Sequence, residues 1–556
     1  MKSDSAAGLT RTAHLDTFAR DRLPPRAAWP ELRFDLDCLR YPVRLNAAAM
    51  LLDDTAAAGH ADRPALHTLV DHQLVSCTYR QLQARVNQIA RVLTEDLRLV
   101  PGNRVLLRGA NNPMMAACWL AIAKAGLIAV ATMPMLRAKE LEQVAAKAHC
   151  QAALCDVVLA DELAFCTTVG HPHFCPSLTQ TLLFNTLQPG QLEDRLAKKP
   201  AQFTACGTAA DDVVLIAFTS GTTGQPKGTM HFHRDVIAMC DAFPRSILQS
   251  GPTDIFCGTP PLAFTFGLGG MLAFPLRVGA STMLVEKLTP DSLLSVIDQA
   301  RATICFTAPT SYRQMAGLAK NHDLGSLKKC ISAGEALPDA TRQLFKSATG
   351  IELIDGIGAT EMIHIFISHT PARVRQGATG YVIPGYQACI LDDDFEPCPP
   401  GVVGKLAVKG PTGCRYLDDP RQATYVPPTA HGWNLTGDAY KMDEDGYFYY
   451  QARTDDMIVS AGYNIAGPEV EAALLQHEAV AECGVTGAPD QDRGQIVKAF
   501  VVLKPGFTGD AALTAALQSF VKATIAPYKY PRVISYVMSL PRTETGKLQR
   551  FKLRDL

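Results

Sequence analysis

The chain has 556 residues and 60.0 kDa, too long for one ordinary domain at roughly 100–200 residues each, so two to four domains are expected. Apolar residues make up 47% and charged residues 19%, near the soluble globular average, which excludes an intrinsically disordered chain. Lys and Arg total 53 against 54 Asp and Glu, a formal net charge of −1, so charge offers no reason to expect nucleic acid or an anionic membrane as the main partner.

In chain order, Met1-Lys2-Ser3-Asp4-Ser5 is not followed by an apolar leader, and the 16 cysteines are scattered without CxxC pairs. A reducing cytoplasm is therefore the expected setting, with the cysteines as small packing residues. Short β-branched runs then alternate with helical stretches: Arg104–Arg108 before a helix over Pro113–Lys124, Leu127–Thr132 before Ala138–Ala146, and Ala152–Cys155. Such alternation predicts βαβ units and largely parallel, buried sheets. Cys166, His171, His173 and Cys175 are zinc-type ligands, but their spacing matches no structural zinc pattern, and Pro172 and Pro176 mark an ordinary loop. Residues 256–276 carry no charge, yet three prolines and four glycines inside them argue for a buried loop, strand and helix rather than a membrane span. From Gly377 the style changes to short strands between Gly and Pro turns: Tyr381–Ile383, Ala388–Asp392, Gly404–Val408 and Gly446–Gln451. They predict a meander or small barrel-like subdomain. After the charged step Thr454-Asp455-Asp456 the pattern restarts, with elements at Met457–Ser460, Pro468–Gln476, Val480–Thr486, Val497–Leu503 and Thr514–Ile525. About a hundred residues suffice for an independent core. The expected division is thus a large domain over 1–454 and a small α+β lid over 455–556, with the hinge near Asp455.

The apolar run 213–219 stops at Ser220-Gly221-Thr222-Thr223-Gly224-Gln225-Pro226-Lys227-Gly228. Glycines let backbone N–H groups approach oxyanions, the hydroxyls of Thr219, Ser220, Thr222 and Thr223 donate to them, and Lys227 offsets their charge, so the segment reads as a triphosphate cradle. It is not a Walker A loop, which needs GxxxxGK[ST].

This segment resembles the signature of the adenylate-forming superfamily, which includes acyl- and aryl-CoA ligases, adenylation domains and luciferases. Later segments resemble the same superfamily in the same order: Ser332-Ala333-Gly334-Glu335, Asp355-Gly356-Ile357-Gly358-Ala359-Thr360-Glu361, Thr436-Gly437-Asp438, Arg453-Thr454-Asp455-Asp456, Ser460-Ala461-Gly462-Tyr463-Asn464-Ile465 and Pro541-Arg542-Thr543-Glu544-Thr545-Gly546-Lys547. Within it, DGIGATEMIHIFIS (355–368), PLAFTFGLGG (261–270), KGTMHFHRD (227–235) and FTAPTSYR (306–313) resemble benzoate- and 2-aminobenzoate-CoA ligases. RYPVRLNAAAMLLD (40–53) and VPGNRVLLRGANNPMMAACW (100–119) favour the 2-aminobenzoate branch.

The resemblance implies ATP, Mg²⁺ and coenzyme A, an aryl-adenylate intermediate, and release of AMP and pyrophosphate. It puts Thr219, Ser220, Gly221, Thr222, Thr223, Gly224 and Lys227 on the β- and γ-phosphates, and Thr360 on the α-phosphate. Glu361 becomes the metal carboxylate, Asp438 and Arg453 face the ribose, and Gly334, Glu335, Asp355, Gly356 and Ile357 surround adenine. At Ile357 most relatives carry an aromatic residue, so some stacking on adenine is lost. Lys547 is the expected adenylation lysine, bridging the carboxylate and the α-phosphate, although composition alone reads it as part of a basic tail with Arg550, Lys552 and Arg554. Gly462 is implied on the pantetheine path after rotation about Asp455. The aryl pocket is expected from Phe232, Phe264, Phe266, Ala308, Gly358, His364 and Ile365, with His233 near the carboxylate. His231 and Asp235 spell HxxxD, an acyltransferase pattern whose remaining signature is missing.

Two other readings stand beside the ligase. A stand-alone adenylation enzyme would load a carrier-protein thiol, but no carrier domain follows Leu556, which favours free CoA. A non-catalytic nucleotide-binding homologue is disfavoured by Lys227, Glu361, Asp438 and Lys547. The expected partners are a small aromatic carboxylate, ATP and CoA, with a carrier protein or a thioester-using enzyme as the macromolecular option.

Overall fold

The computed structural model describes residues 8–219, 226–454, 456–460, 463–490, 493–542 and 548–554. The helix Pro113–Lys124 begins where expected because Asn112 caps it, its side chain accepting the Met115 N–H at 2.9 Å, and Pro113 occupies the first turn. It packs on a six-stranded sheet in the order Gln180–Phe184, Ala152–Asp156, Arg104–Arg108, Ile128–Thr132, Val213–Thr219 and Lys227–Phe232, parallel throughout except for the last strand. Its central strands are buried along their whole length, as parallel sheets covered on both faces require. The two arginines within it are fully partnered: Arg104 meets Asp16 at 2.6 Å, and Arg108 donates to the carbonyls of Met133, Pro134 and Leu136.

A second, nine-stranded sheet has a parallel centre formed by Leu353–Gly358, Lys329–Ser332, Ile304–Thr307, Ile255–Gly258, Ser281–Met283 and Pro64–Val70. Antiparallel strands flank it, Ile365–Ser368 and Tyr381–Val382 at one end and Gln73–Thr78 at the other. One apolar core runs between the two sheets, drawing Leu107, Trp119 and Leu215 from one side and Phe256, Phe306 and Ile354 from the other. The uncharged run 256–276 lies inside it as a strand followed by short helical turns, and no helix of the described residues is long and apolar enough to cross a membrane.

The meander is four antiparallel strands, Gln387–Leu391, Val403–Lys409, Asn434–Met442 and Phe448–Arg453. Among the described residues its first and last strands do not pair, so the sheet stays open rather than closing into a barrel. Beyond it Ile458, Ile465, Val470, Leu474, Val485, Val497, Val501, Leu517 and Val521 form a separate core. It lies between helices Gly467–Leu474 and Ala511–Thr524 and a small sheet containing Val480–Asp490, Gly494–Leu503 and Val533–Tyr536. Cys166 and Cys175 are buried packing residues, and the His171 ring stacks on Phe165 at 4.6 Å.

Candidate active site

In open α/β sheets, ligands bind outside the carboxyl ends of the strands. Here Gly258, Ala308, Ala333-Gly334-Glu335 and Gly356-Ile357-Gly358 end or follow four adjacent parallel strands, held level by the register Thr307↔Ser332↔Asp355. Asp355 is buried there, which pushes its carboxyl up to about 7 against the opposing pull of Arg342. Glu335 accepts from the Thr310 hydroxyl at 2.9 Å and meets Arg542 at 3.1 Å. Arg542 also reaches Glu482 at 2.8 Å, so its guanidinium joins the two glutamates.

The strands Val213–Thr219 and Lys227–Phe232 form a hairpin with Thr219 opposite Lys227. Ser220, Gly221, Thr222, Thr223 and Gly224 lie outside the described residues, as do Asp455, Gly462 and Lys547. The hairpin is held along its outer edge by residues 415–417: the Met230 N–H donates to the Arg415 carbonyl at 2.7 Å, and the Leu417 N–H to the Gly228 carbonyl at 2.8 Å. Lys147 adds a further tie, reaching the Pro226 carbonyl at 3.1 Å and Asp419 at 2.8 Å.

Lys227 Nζ lies 2.9 Å from Glu361 Oε1 and 2.8 Å from the Tyr416 hydroxyl, which donates in turn to Glu361 Oε1. Burial opposes ionisation of Glu361, but the Lys227 ammonium and the Tyr416 phenol outweigh it and hold the carboxyl below the ordinary glutamate range. Glu361 sits on the turn Thr360–Met362, and the next residue, Ile363, has φ +66°. Three hydrogen bonds pin this turn. His231 Nε2 donates to the Thr360 carbonyl at 2.8 Å, the Thr412 hydroxyl to Met362 at 2.8 Å, and the Ile363 N–H to Thr360 at 3.1 Å. Behind His231 lie the Asp235 carboxylate, 3.8 Å from Nδ1, and Arg415, which pairs with Asp235; all three side chains are fully buried. The HxxxD pair is therefore scaffolding under the Thr360–Glu361 turn.

Asp438 and Arg453 face each other across neighbouring strands, 3.1 Å apart, and Arg453 also donates to the Thr436 carbonyl. Gly437, at φ +78°, leaves room for that guanidinium, which a Cβ would approach to 2.6 Å. Two buried phenols feel the charge of this pair and of the other carboxylates without hydrogen-bonding to them. Burial first, then Glu361 and Asp438, raises the Tyr425 hydroxyl well above its ordinary value; burial, then Asp438 and more weakly Asp355, does the same to Tyr440.

Next to Glu361 the surroundings turn apolar. The His364 ring is packed among Phe274 at 4.5 Å, Phe266 at 5.6 Å and Phe243 at 5.8 Å, and Phe306 lies edge-on to Phe266. Gly269 makes this possible, because a Cβ there would sit 2.5 Å from His364 Cδ2. Burial pushes the imidazole down to about 3, so it is neutral at pH 7. Its Nε2 faces the Phe266 carbonyl at 3.4 Å, and a carbonyl only accepts, so the proton is assigned to Nε2. Nδ1 is left as a buried acceptor with no partner among the described residues. Ile365 pairs with Gly358 across the adjoining strands, while Phe264 and Ala308 are half-buried at the rim.

Two expected positions are corrected. Phe232 is not in the pocket: its ring lies 5.7 Å from Trp29 and 4.1 Å from the Arg415 guanidinium, in the core under the six-stranded sheet. His233 is not near Glu361 by any described contact. The chain leaves the sheet at Phe232 and starts the helix His233–Phe243, which turns the His233 ring onto the Ala47 N–H at 3.0 Å. Burial there pushes His233 down to about 3. Tyr416 and Arg415 went unnoticed in the sequence; their only signal is a polar, glycine-containing turn, PTGCRYLDD, directly after a buried strand.

Two lobes with separate cores, strand ends that gather carboxylates, and a lysine paired with a glutamate directly after a glycine-rich sequence define the adenylate-forming fold. The AMP-binding enzyme family matches residues 53–415 and the AMP-binding enzyme C-terminal domain matches 469–547. The chain belongs to the AMP-binding enzyme family. It is 36% identical to a benzoate–CoA ligase of Thauera aromatica, over 93% of this chain and 97% of that one. Among solved structures, the anthranilate CoA ligase AuaEII in complex with anthranoyl-AMP superposes with a TM-score of 0.87 at 33% identity, covering 94% of this chain and 98% of that one. A benzoate CoA ligase from Burkholderia xenovorans LB400 gives 0.82 at 30% identity, covering 92% and 100%.

Proposed function

We propose that the chain is an ATP-dependent aryl-CoA ligase that converts 2-aminobenzoate or benzoate to its CoA thioester. The observation that carries this reading is adjacency: between Glu361 and His364 the chain passes from an ionised, lysine-bearing cluster to an uncharged aromatic box. A flat aromatic acid fits the box while its carboxylate meets a nucleotide held by the cluster. The relatives named as benzoate and anthranilate CoA ligases support the same substrate class.

In the first half-reaction a carboxylate oxygen attacks the α-phosphorus and pyrophosphate leaves. In the second, the CoA thiol attacks the activated carbonyl carbon and AMP leaves. Lys227 and the hydroxyls of the 219–223 segment hold the outer phosphates, Thr360 the α-phosphate, and Asp438 and Arg453 the ribose. Glu361 fits magnesium, which favours one or two protein carboxylates plus phosphate oxygens and supplies charge neutralisation when bound. The unpartnered Nδ1 of His364 supports the 2-aminobenzoate branch, because an ortho amino group offers the N–H donor that this acceptor lacks and benzoate offers none.

The test is CoA-dependent AMP release with ATP, Mg²⁺ and a panel of benzoate, 2-aminobenzoate, salicylate, hexanoate and an amino acid. Thioester formed preferentially from 2-aminobenzoate is the expected result. Preference for benzoate corrects the substrate and keeps the class, whereas AMP formed only from aliphatic or amino acids removes the aryl pocket. Thioester formed only on a carrier-protein thiol would replace CoA as the acceptor.

The residues after 456, with their own core, act in this reading as a lid that presents Lys547 for adenylation and moves away for thioester formation. Lys547→Ala is expected to lose adenylation by about 10²–10³-fold, the scale of one lost transition-state donor, while still converting synthetic aryl-adenylate to thioester. Equal damage to both half-reactions would sink the two-orientation scheme.

A further inference from the structure

We infer that Tyr416 is a positioning residue for the metal-binding carboxylate of the first half-reaction, its phenol fixing Glu361 so that one carboxylate oxygen stays turned to the divalent cation. The inference rests on the ligase reading above and adds a residue which that reading does not use. Both donors of the cluster, the Lys227 ammonium and the Tyr416 hydroxyl, converge on Glu361 Oε1. No other described side chain takes Oε2, so the geometry divides the carboxylate into an anchored oxygen and a presented one.

The phenol is built to stay in place. The Tyr416 side chain is buried, its N–H donates to Gln422 Oε1 at 2.9 Å, and its backbone bridges Thr229 on the Lys227–Phe232 strand. Its ring also meets the Tyr425 ring edge-on at 6.0 Å. Lys227 is different: its side chain is partly exposed, on a long flexible stem, and must turn from Glu361 to a phosphate oxygen when nucleotide arrives. When it turns, the phenol is the one donor left on Oε1 among the described residues. Groups that orient a metal ligand commonly change metal affinity by about 10–100-fold when removed.

The experiment is a Mn²⁺ titration of the full chain bound to an ATP analogue with a methylene bridge between the α- and β-phosphates, followed by electron paramagnetic resonance. Tyr416→Phe is expected to weaken Mn²⁺ binding by about 10–100-fold. It should also raise the metal concentration needed for pyrophosphate release, while the metal-free conversion of synthetic aryl-adenylate to thioester falls far less. Tyr416→His, which returns a ring N–H near the lost hydroxyl, should recover part of the metal affinity. A Tyr416→Phe titration that overlays the wild type overturns the inference, and so does equal loss in both half-reactions without rescue by histidine. Wild-type protein that activates no acid at all would sink the ligase reading instead, with the Mn²⁺ titration still deciding the role of Tyr416.

Discussion

Glu361→Gln should lower pyrophosphate release by about 10²–10³-fold, the size expected when one preorganised electrostatic contact to a transferring phosphoryl group is lost. The substitution keeps shape and removes charge, so its effect isolates the carboxylate. Among the described residues, Glu361 carries the only negative charge that Lys227 touches, and the Tyr416 hydroxyl completes the cluster. An amide there still accepts from the phenol, but it neither balances the ammonium nor binds a hard cation well. The measurement is pyrophosphate release across a range of Mg²⁺ concentrations. A variant within a small factor of wild type at every concentration would remove Glu361 from the site.

The second large effect is on stability. Arg415→Met is expected to cost about 3–5 kcal/mol, because it strands the Asp235 carboxylate in a buried place. Asp235 and Arg415 are both fully buried, and the guanidinium also covers the Phe232 ring. Removing both charges, in Arg415→Met with Asp235→Leu, should recover part of the loss, since a buried pair often does no better than apolar residues of similar size. Recovery stays incomplete because Asp235 also accepts the Phe232 N–H at the start of the helix. Urea unfolding of the three variants, read at the first transition, checks both statements. A cost below about 1 kcal/mol for Arg415→Met would mean that Asp235 finds another partner or takes up a proton.

Much of the frame was legible locally. Arg104–Arg108 and Pro113–Lys124 match their sequence-read bounds because each is set by neighbours along the chain: a short apolar run in one case, an Asn-Pro start in the other. Lys227 and Glu361 stood out as motif residues, although nothing in either segment says that they touch, 134 positions apart. Tyr416 was illegible for the same reason in stronger form. It lies 189 positions from Lys227 and meets it only because residues 415–417 extend the sheet beside the hairpin. The error over Phe232 and His233 is a matter of direction. Spacing places both residues after the loop, but only the point where strand becomes helix decides which way each ring points. His231, one residue earlier, faces Thr360. The pairing of Arg542 with Glu335 spans 207 positions and no local pattern announces it.

Ile363 shows what the turn after Glu361 costs. A β-branched residue at φ +66° sits in backbone space that L-residues avoid, a cost of about 1–3 kcal/mol when the surroundings impose it. The imposition comes from the carbonyls on either side of Glu361, held by His231 and Thr412. In return, the turn brings a charged side chain and an aromatic-box residue within three positions of each other, which the proposed function assigns to the nucleotide and the acid. If the proposed function holds, thermal robustness and catalysis thus pull in opposite directions on this one turn. A replacement that relaxed its backbone would make a sturdier protein in which Glu361 and His364 lose their present juxtaposition, and with it the arrangement the proposed function needs.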